Sequence, residues 1–292
     1  MGKKELIQEI VTNEIIKALE NGVIPWNKPW VNGMNRNIKS KAAYRGFNQV
    51  LLTMVANGTG YQNPYWGTFK QITEAGGRVR KGEHGTVVMY FQMVKASKNA
   101  GENESGAEME RLFPLLRYYK VFNLDQCENV ESPAIIETVY TNKPATENAE
   151  SIIAGYQKPP RVEHKNQARA FYRPSTDSIT MPTMKQFKND VGYYGTLFHE
   201  LVHSTGAAHR LNRPEFVNSN GKDSAAYGAE ELTAEIGATM LLNLSGFESG
   251  YIENAAAYCE SWLAALKNDR GMIIKAASKA QAAMVHIAGE IQ

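Results

Sequence analysis

At 292 residues, 43% of them hydrophobic and 21% charged, the chain has room for two domains of ordinary size and the composition of a folded soluble protein. A net charge of +2 gives the whole chain no preference for acidic or basic partners, and two cysteines, Cys127 and Cys259, exclude a disulfide framework or a cysteine metal site. Residues 1–22 are punctuated by charges, and no apolar run approaches the roughly 18 residues of a membrane span, so the expectation is a cytoplasmic protein.

Apolar residues recurring at three and four predict an amphipathic helix over 5–20, stopped by Gly22. Pro25 and Pro29 impose an extended path. Helices follow at about 46–57 and 68–75, the latter ending at Gly76-Gly77. The Val-, Tyr- and Phe-rich run from Thr86 to Val94 predicts a strand, and Leu115–Phe122 its return across a polar loop at 97–110. Pro133 and Pro144 mark a linker at 131–148. Beyond it a helix is predicted at 147–156, then two short strands flanking the turn-like Pro174–Ser178. A helix at 190–205 follows, with Asn189 or Asp190 as cap and Gly206 as stop, then a loop at 213–225 and helices at 228–244, 253–268 and after 271. The segment Ile179–Met181, apolar and β-branched, is read as an edge strand that could pair with an extended peptide. The fold class is α+β, with a small α+β domain over 1–130 and a mostly helical domain over 149–292.

The predicted helix at 190–205 carries His199-Glu200-Leu201-Val202-His203. Histidines four apart share one helix face and can hold one Zn2+, with other divalent ions such as Mn2+ as substitutes. Such an ion acidifies water and polarises a scissile carbonyl, and Glu200, beside the first histidine, can move the proton as general base and acid. This is the zincin pattern of a metal-dependent peptidase. A third protein ligand is required, and two candidates compete. His209 completes a metzincin-like string after Gly206; Glu231 and Glu235, at i and i+4 on the following helix, offer one carboxylate to the metal and one to orient a ligand histidine. Glu230 lies about 100° around that helix and is read as a solvated charge.

Residues 24–98 hold eleven Lys and Arg against two glutamates, a segment charge of +9, interleaved with aromatics that include Trp26, Trp30, Tyr44 and Tyr90. Cations that track phosphates beside rings that stack bases suit sequence-tolerant binding of single-stranded DNA. Arg36, Lys39, Lys41, Tyr44, Arg45 and Lys81 are the candidate contacts, which houses the DNA affinity before about residue 130.

Two resemblances cover most of the chain. Asp177–Pro182, His199–Gly206, Arg210-Leu-Asn-Arg213 and Tyr227–Ala238 resemble the zincin-like metallopeptidase domain of polyvalent proteins from mobile elements. Pro25–Trp30, Tyr44–Asn48, Gly76–Gly82 and Tyr119–Gln126 resemble the ArdC-type N-terminal domain, and the two in this order resemble the antirestriction family of conjugative plasmids. The resemblance implies a single-stranded-DNA-binding domain joined to a metallopeptidase domain, and it favours Glu231 over His209 as third ligand. It also implies protection of incoming plasmid DNA from host restriction. The rival expectations are a DNA-coating protein with a structural or regulatory metal, and a plain peptidase whose basic patch recognises acidic proteins.

Overall fold

The computed structural model describes residues 34–95, 112–134, 143–217, 225–247 and 265–290, with Glu9, Thr12, Asn13, Ile15–Lys17, Leu19–Asn21, Ile24, Trp262 and Leu263. Side chains at 91–95, 112–116 and 225 fall outside that description, as do Trp26, Trp30, Cys259 and the loop at 97–110. The predicted helices at 5–20 and 253–268 are described only at scattered positions; those in 9–20 and 262–268 are helical. The architecture is α+β.

Two compact units interleave along the chain. One comprises 36–41 and 63–133, the other 1–35, 42–62 and 134–292. These units cross the expected boundaries of 1–130, 131–148 and 149–292, since 42–62 group with 134–292. The reason is the helix α1 (Phe47–Thr59), whose buried Phe47, Val50, Leu51 and Leu52 belong to the larger unit. There it packs on α7 (Met272–Ala288), and the Gly46 amide donates to Gln281 Oε1.

The smaller unit is built on a four-stranded sheet with order β1-β2-β5-β4. Its strands are β1 (Arg36–Asn37), β2 (Tyr65–Thr68), β4 (Thr86–Lys95) and β5 (Leu112–Asn123); β3 (Arg78–Val79) pairs separately with β6 (Cys127–Glu128). The β4–β5 ladder is the predicted antiparallel hairpin, lengthened toward its tip. Thr68 caps the short helix α2 (Phe69–Glu74) in a capping box with Gln71, and Ile72 of that helix packs with Ile38, Tyr65 and Leu124 in the core.

In the larger unit, α3 (Ala145–Gly155), α4 (Asp190–Thr205), α6 (Ala225–Ser245) and α7 pack together, with the turn α5 (Pro214–Val217) against α6. Asn189 caps α4, its Oδ1 accepting the Gly192 amide at 2.9 Å. Helix α6 is buried around much of its circumference, through Leu232, Ala234, Ile236, Ala238, Met240 and Leu241. It meets α4 so closely that a Cβ on Gly237 would lie 2.8 Å from Val202. Gly237→Ala would gain about 1 kcal/mol of helix propensity. Overpacking against fully buried Val202 costs about 1–3 kcal/mol, so a lower Tm is expected, together with weaker metal binding because Glu231 and Glu235 ride on α6. Thermal melts and metal titration of this variant check both; an unchanged or raised Tm would show that the helices separate freely.

A three-stranded sheet completes this unit in the order β7-β9-β8, from β7 (Arg161–Lys165), β8 (Phe171–Arg173) and β9 (Ser178–Pro182). This corrects the edge-strand reading of Ile179–Met181. The strand pairs parallel with β7 on one side and antiparallel with β8 on the other, so no peptide can add to it. The sequence gives little sign of the partner β7 because Arg-Val-Glu-His-Lys is polar, with Val162 and Glu163 only half-buried and no alternating apolar face. Ile179, Thr180 and Met181 are all buried, as expected of a central strand rather than an alternating edge. No described helix is long and apolar enough to cross a membrane.

Candidate metal centre

Helix α4 places His199 and His203 one turn apart, with their Nε2 atoms 3.0 Å from each other. Helix α6 brings Glu231 against both, Oε2 at 3.5 Å from His199 Nε2 and Oε1 at 3.4 Å from His203 Nε2. One cation held tetrahedrally at about 2.0–2.1 Å needs donors about 3.3 Å apart, and these contacts, made to the histidines by different Glu231 oxygens, are near that spacing. Among the described residues this is the group of three such donors that converges.

The outward nitrogens are also engaged. Glu235 Oε1 lies 3.2 Å from His199 Nδ1, and Glu230 Oε1 lies 3.2 Å from His203 Nδ1. Glu230 is therefore a buried partner and not the solvated charge read from the sequence. A residue 100° around α6 stays inside because the helix is enclosed on more than one side, and Arg213 meets Glu230 there through two hydrogen bonds. The sequence signal was Arg213 itself, in the Arg210-Leu-Asn-Arg213 string. Gly206 lets the chain turn back to deliver it: a Cβ there would lie 2.8 Å from the Phe216 ring and 2.9 Å from Arg213 Nη2.

Burial alone would strip the proton from His199, but Glu235 and Glu231 outweigh it and hold its pKa well above the ordinary imidazole value. At His203 the same contest, with Glu231 and Glu230 on the raising side, ends at about 9. Burial pushes Glu231 up, yet the two imidazoles hold it well below the carboxylate range.

Glu200 is buried beside His199 and among the described residues meets no hydrogen-bond or ion-pair partner. His209 is elsewhere: it is exposed, with Nε2 3.5 Å from Asp177, which Arg210 grips through both carboxylate oxygens at 2.8 Å. The hydroxyl of Tyr193 meets His164 Nε2 at 2.9 Å, and that of Tyr194 donates to Glu150 at 2.7 Å. Burial pushes the Cys127 thiol up to about 11, which leaves no thiolate for nucleophilic chemistry there.

The candidate DNA contacts divide. Arg36 is buried, its Nη1 donating to the Lys41 carbonyl at 2.9 Å, so it braces the 36–41 loop and is the least accessible of the set. Lys39 is exposed but paired with Glu74 at 2.9 Å; Lys41 is exposed, 5.5 Å over the Tyr65 ring. Lys81 is exposed on the Gly82 turn, Arg45 is exposed, and Tyr44 is half-buried; Tyr44 and Arg45 belong to the larger unit. Sequence reasoning gave no special place to an exposed pair on the β4–β5 hairpin. Tyr90 and Tyr119, 51% and 40% exposed, stand edge to face at 6.3 Å. Arg117 lies directly across from Tyr90 on the same sheet face.

Comparison with known proteins agrees with this geometry. Residues 5–122 match the N-terminal domain of anti-restriction factor ArdC, and 147–279 match the zincin-like metallopeptidase family. Among relatives, the uncharacterized protein y4eC of Sinorhizobium fredii is 36% identical over 290 residues, covering 94% of this chain and 89% of that protein. A DNA primase TraC of Escherichia coli is 35% identical over 299 residues, and the matched region is 26% of its length. Crystal structures of the antirestriction ArdC protein from plasmid R388, metal-free and Mn(II)-bound, superpose with TM-scores of 0.76 and 0.75 at 35% identity, covering 96% of each chain. A zincin-like domain with converging metal donors, preceded by an ArdC N-terminal domain and matched along nearly its whole length, makes this chain a member of the ArdC antirestriction family.

Proposed function

We propose that the protein is an antirestriction factor that binds single-stranded DNA and hydrolyses peptide bonds in a protein or peptide substrate, protecting incoming plasmid DNA from restriction in the cytoplasm. The observation that carries the enzymatic half is the convergence of His199, His203 and Glu231, with Glu200 adjacent and unpaired among the described residues. In this reading the three converging residues hold Zn2+, or Mn2+ in its place, while Glu235 orients His199. The bound cation supplies Lewis acidity that polarises a carbonyl and acidifies water. Glu200 accepts the proton from the attacking water and returns it to the leaving amine. Protection of DNA from a restriction endonuclease, wild type against Glu200→Ala, tests whether hydrolysis serves antirestriction; equal protection would leave the peptidase reading without a role in it.

For the DNA half, Lys39, Lys41, Tyr44, Arg45 and Lys81 remain the candidates, joined by Tyr90, Arg117 and Tyr119. Because 1–35 and 42–62 pack with 134–292, truncation near residue 130 would break the larger unit, and the full chain is the proper subject. Affinity for single-stranded DNA should fall with salt at a log–log slope of about −0.7 per phosphate neutralised. Replacing Lys39, Lys41 and Arg45 by Ala should flatten that slope. Replacing Tyr90 and Tyr119 should weaken binding by about 1–3 kcal/mol per stacked base without changing it, since stacking releases no counterions. Anisotropy titrations at several salt concentrations decide; salt-independent binding, or none, would remove the DNA reading.

A further inference from the structure

We propose that Glu230, locked by Arg213, is the positioning residue for His203, and that the segment after α4 thereby sets the affinity of the metal centre. The inference rests on the reading of His199, His203 and Glu231 as the donors. All three carboxylates come from α6, and they divide the work by position. Glu231 faces the two Nε2 atoms, while Glu230 and Glu235 each stand 3.2 Å from the Nδ1 of a different histidine. A carboxylate gripped by arginine can only accept a hydrogen bond. Nδ1 of His203 must then carry the hydrogen and donate it to Glu230 Oε1, which leaves Nε2 with its lone pair toward the cation.

What distinguishes the His203 arm is its anchor. Arg213 Nε donates to Glu230 Oε2 at 2.8 Å and Nη2 to Oε1. The same guanidinium reaches back to α4, with Nη2 on the Val202 carbonyl at 2.8 Å and Nη1 on Thr205 Oγ1. It thus ties the last turn of the helix that bears His203 to the carboxylate that orients His203's ring. The Phe216 ring closes the same side, 6.2 Å from the His203 ring. An ion pair serving the fold alone could have been placed anywhere in the core, and apolar residues of similar volume commonly replace such pairs without loss of stability. Here one oxygen of the pair is also within hydrogen-bond reach of a metal donor's ring.

That substitution rule supplies the test. In full-length Arg213→Met/Glu230→Met, no buried charge is left unpaired, so the metal-free fold should persist while His203 loses its acceptor. Zn2+ affinity, measured by competition with a chromophoric chelator, should fall about 10–100-fold in protein that remains folded without metal. An affinity within about threefold of wild type would overturn the proposal and leave the pair a structural one. Should the double variant fail to fold, ring 15N spectra of the Zn2+-loaded wild-type protein serve instead. They should show His203 protonated at Nδ1 and metal-bearing at Nε2; the opposite assignment would overturn it. Glu231→Gln separates the two readings: full Zn2+ affinity in that variant would remove the donor assignment itself, whatever Glu230 does.

Discussion

Glu200→Gln is expected to lower peptide-bond hydrolysis by about 10²–10⁴-fold, the usual worth of a positioned general acid–base, while metal content and stability stay near wild type. Glu200 is buried and among the described residues holds no ion pair, so removing its charge should leave the fold intact. Replacing a donor should behave differently, losing both metal and activity. The comparison requires metal analysis of the same preparations used for kinetics. If Glu200→Gln hydrolyses peptides at the wild-type rate with metal bound, the proton has another carrier and the assignment is wrong.

Metal binding at neutral pH should release about one to two protons and weaken steeply in acid. In the metal-free protein the pKa of His203 is raised to about 9 and that of His199 is also raised, because the surrounding carboxylates outweigh burial. The two Nε2 atoms are only 3.0 Å apart, so one shared proton between them is favoured over two facing each other. A cation needs both lone pairs, and at least that proton must leave. Apparent affinity should then fall about tenfold per pH unit on acidification, approaching a hundredfold per unit where both rings are charged. Calorimetry in buffers of different ionisation enthalpy counts the protons directly; zero release would contradict the electrostatics. The same shift has a consequence for the metal-free fold. A folded-state pKa above the unfolded value of 6.5 means the native state binds more protons between the two. The stabilisation is fully present below about pH 6.5 and is lost as pH rises through about 9. The metal-free Tm should therefore decline over that interval, and a rising Tm would show that the histidines are neutral in the fold.

How much of this was legible in the amino-acid order depends on the range of each interaction. The helix Asp190–Thr205, its Asn189 cap and the shared face of His199 and His203 follow from local periodicity and capping, which act within a few residues. The β4–β5 hairpin was legible for the same reason, from two β-rich runs around a polar loop. The i, i+4 spacing of Glu231 and Glu235 placed them on one face, but that Glu231 rather than His209 lies against the imidazoles depends on how α6 packs on α4, about thirty residues away in the chain.

Tertiary structure alone decided the rest. Glu230 read as solvated because angular position on an isolated helix says nothing of a helix enclosed on several sides, where Arg213 returns beneath it. Ile179–Met181 read as an edge because its partner β7 carries a polar sequence, and a strand's neighbours are set by pairing at long range. Arg36 read as a phosphate contact because a cation in a basic run has no local mark of burial; the Lys41 carbonyl that engages it is supplied by the loop's own closure. Charge and periodicity are written in the chain, whereas enclosure arises only when distant segments meet, and a buried polar group must find its partner there or carry the full cost of leaving water.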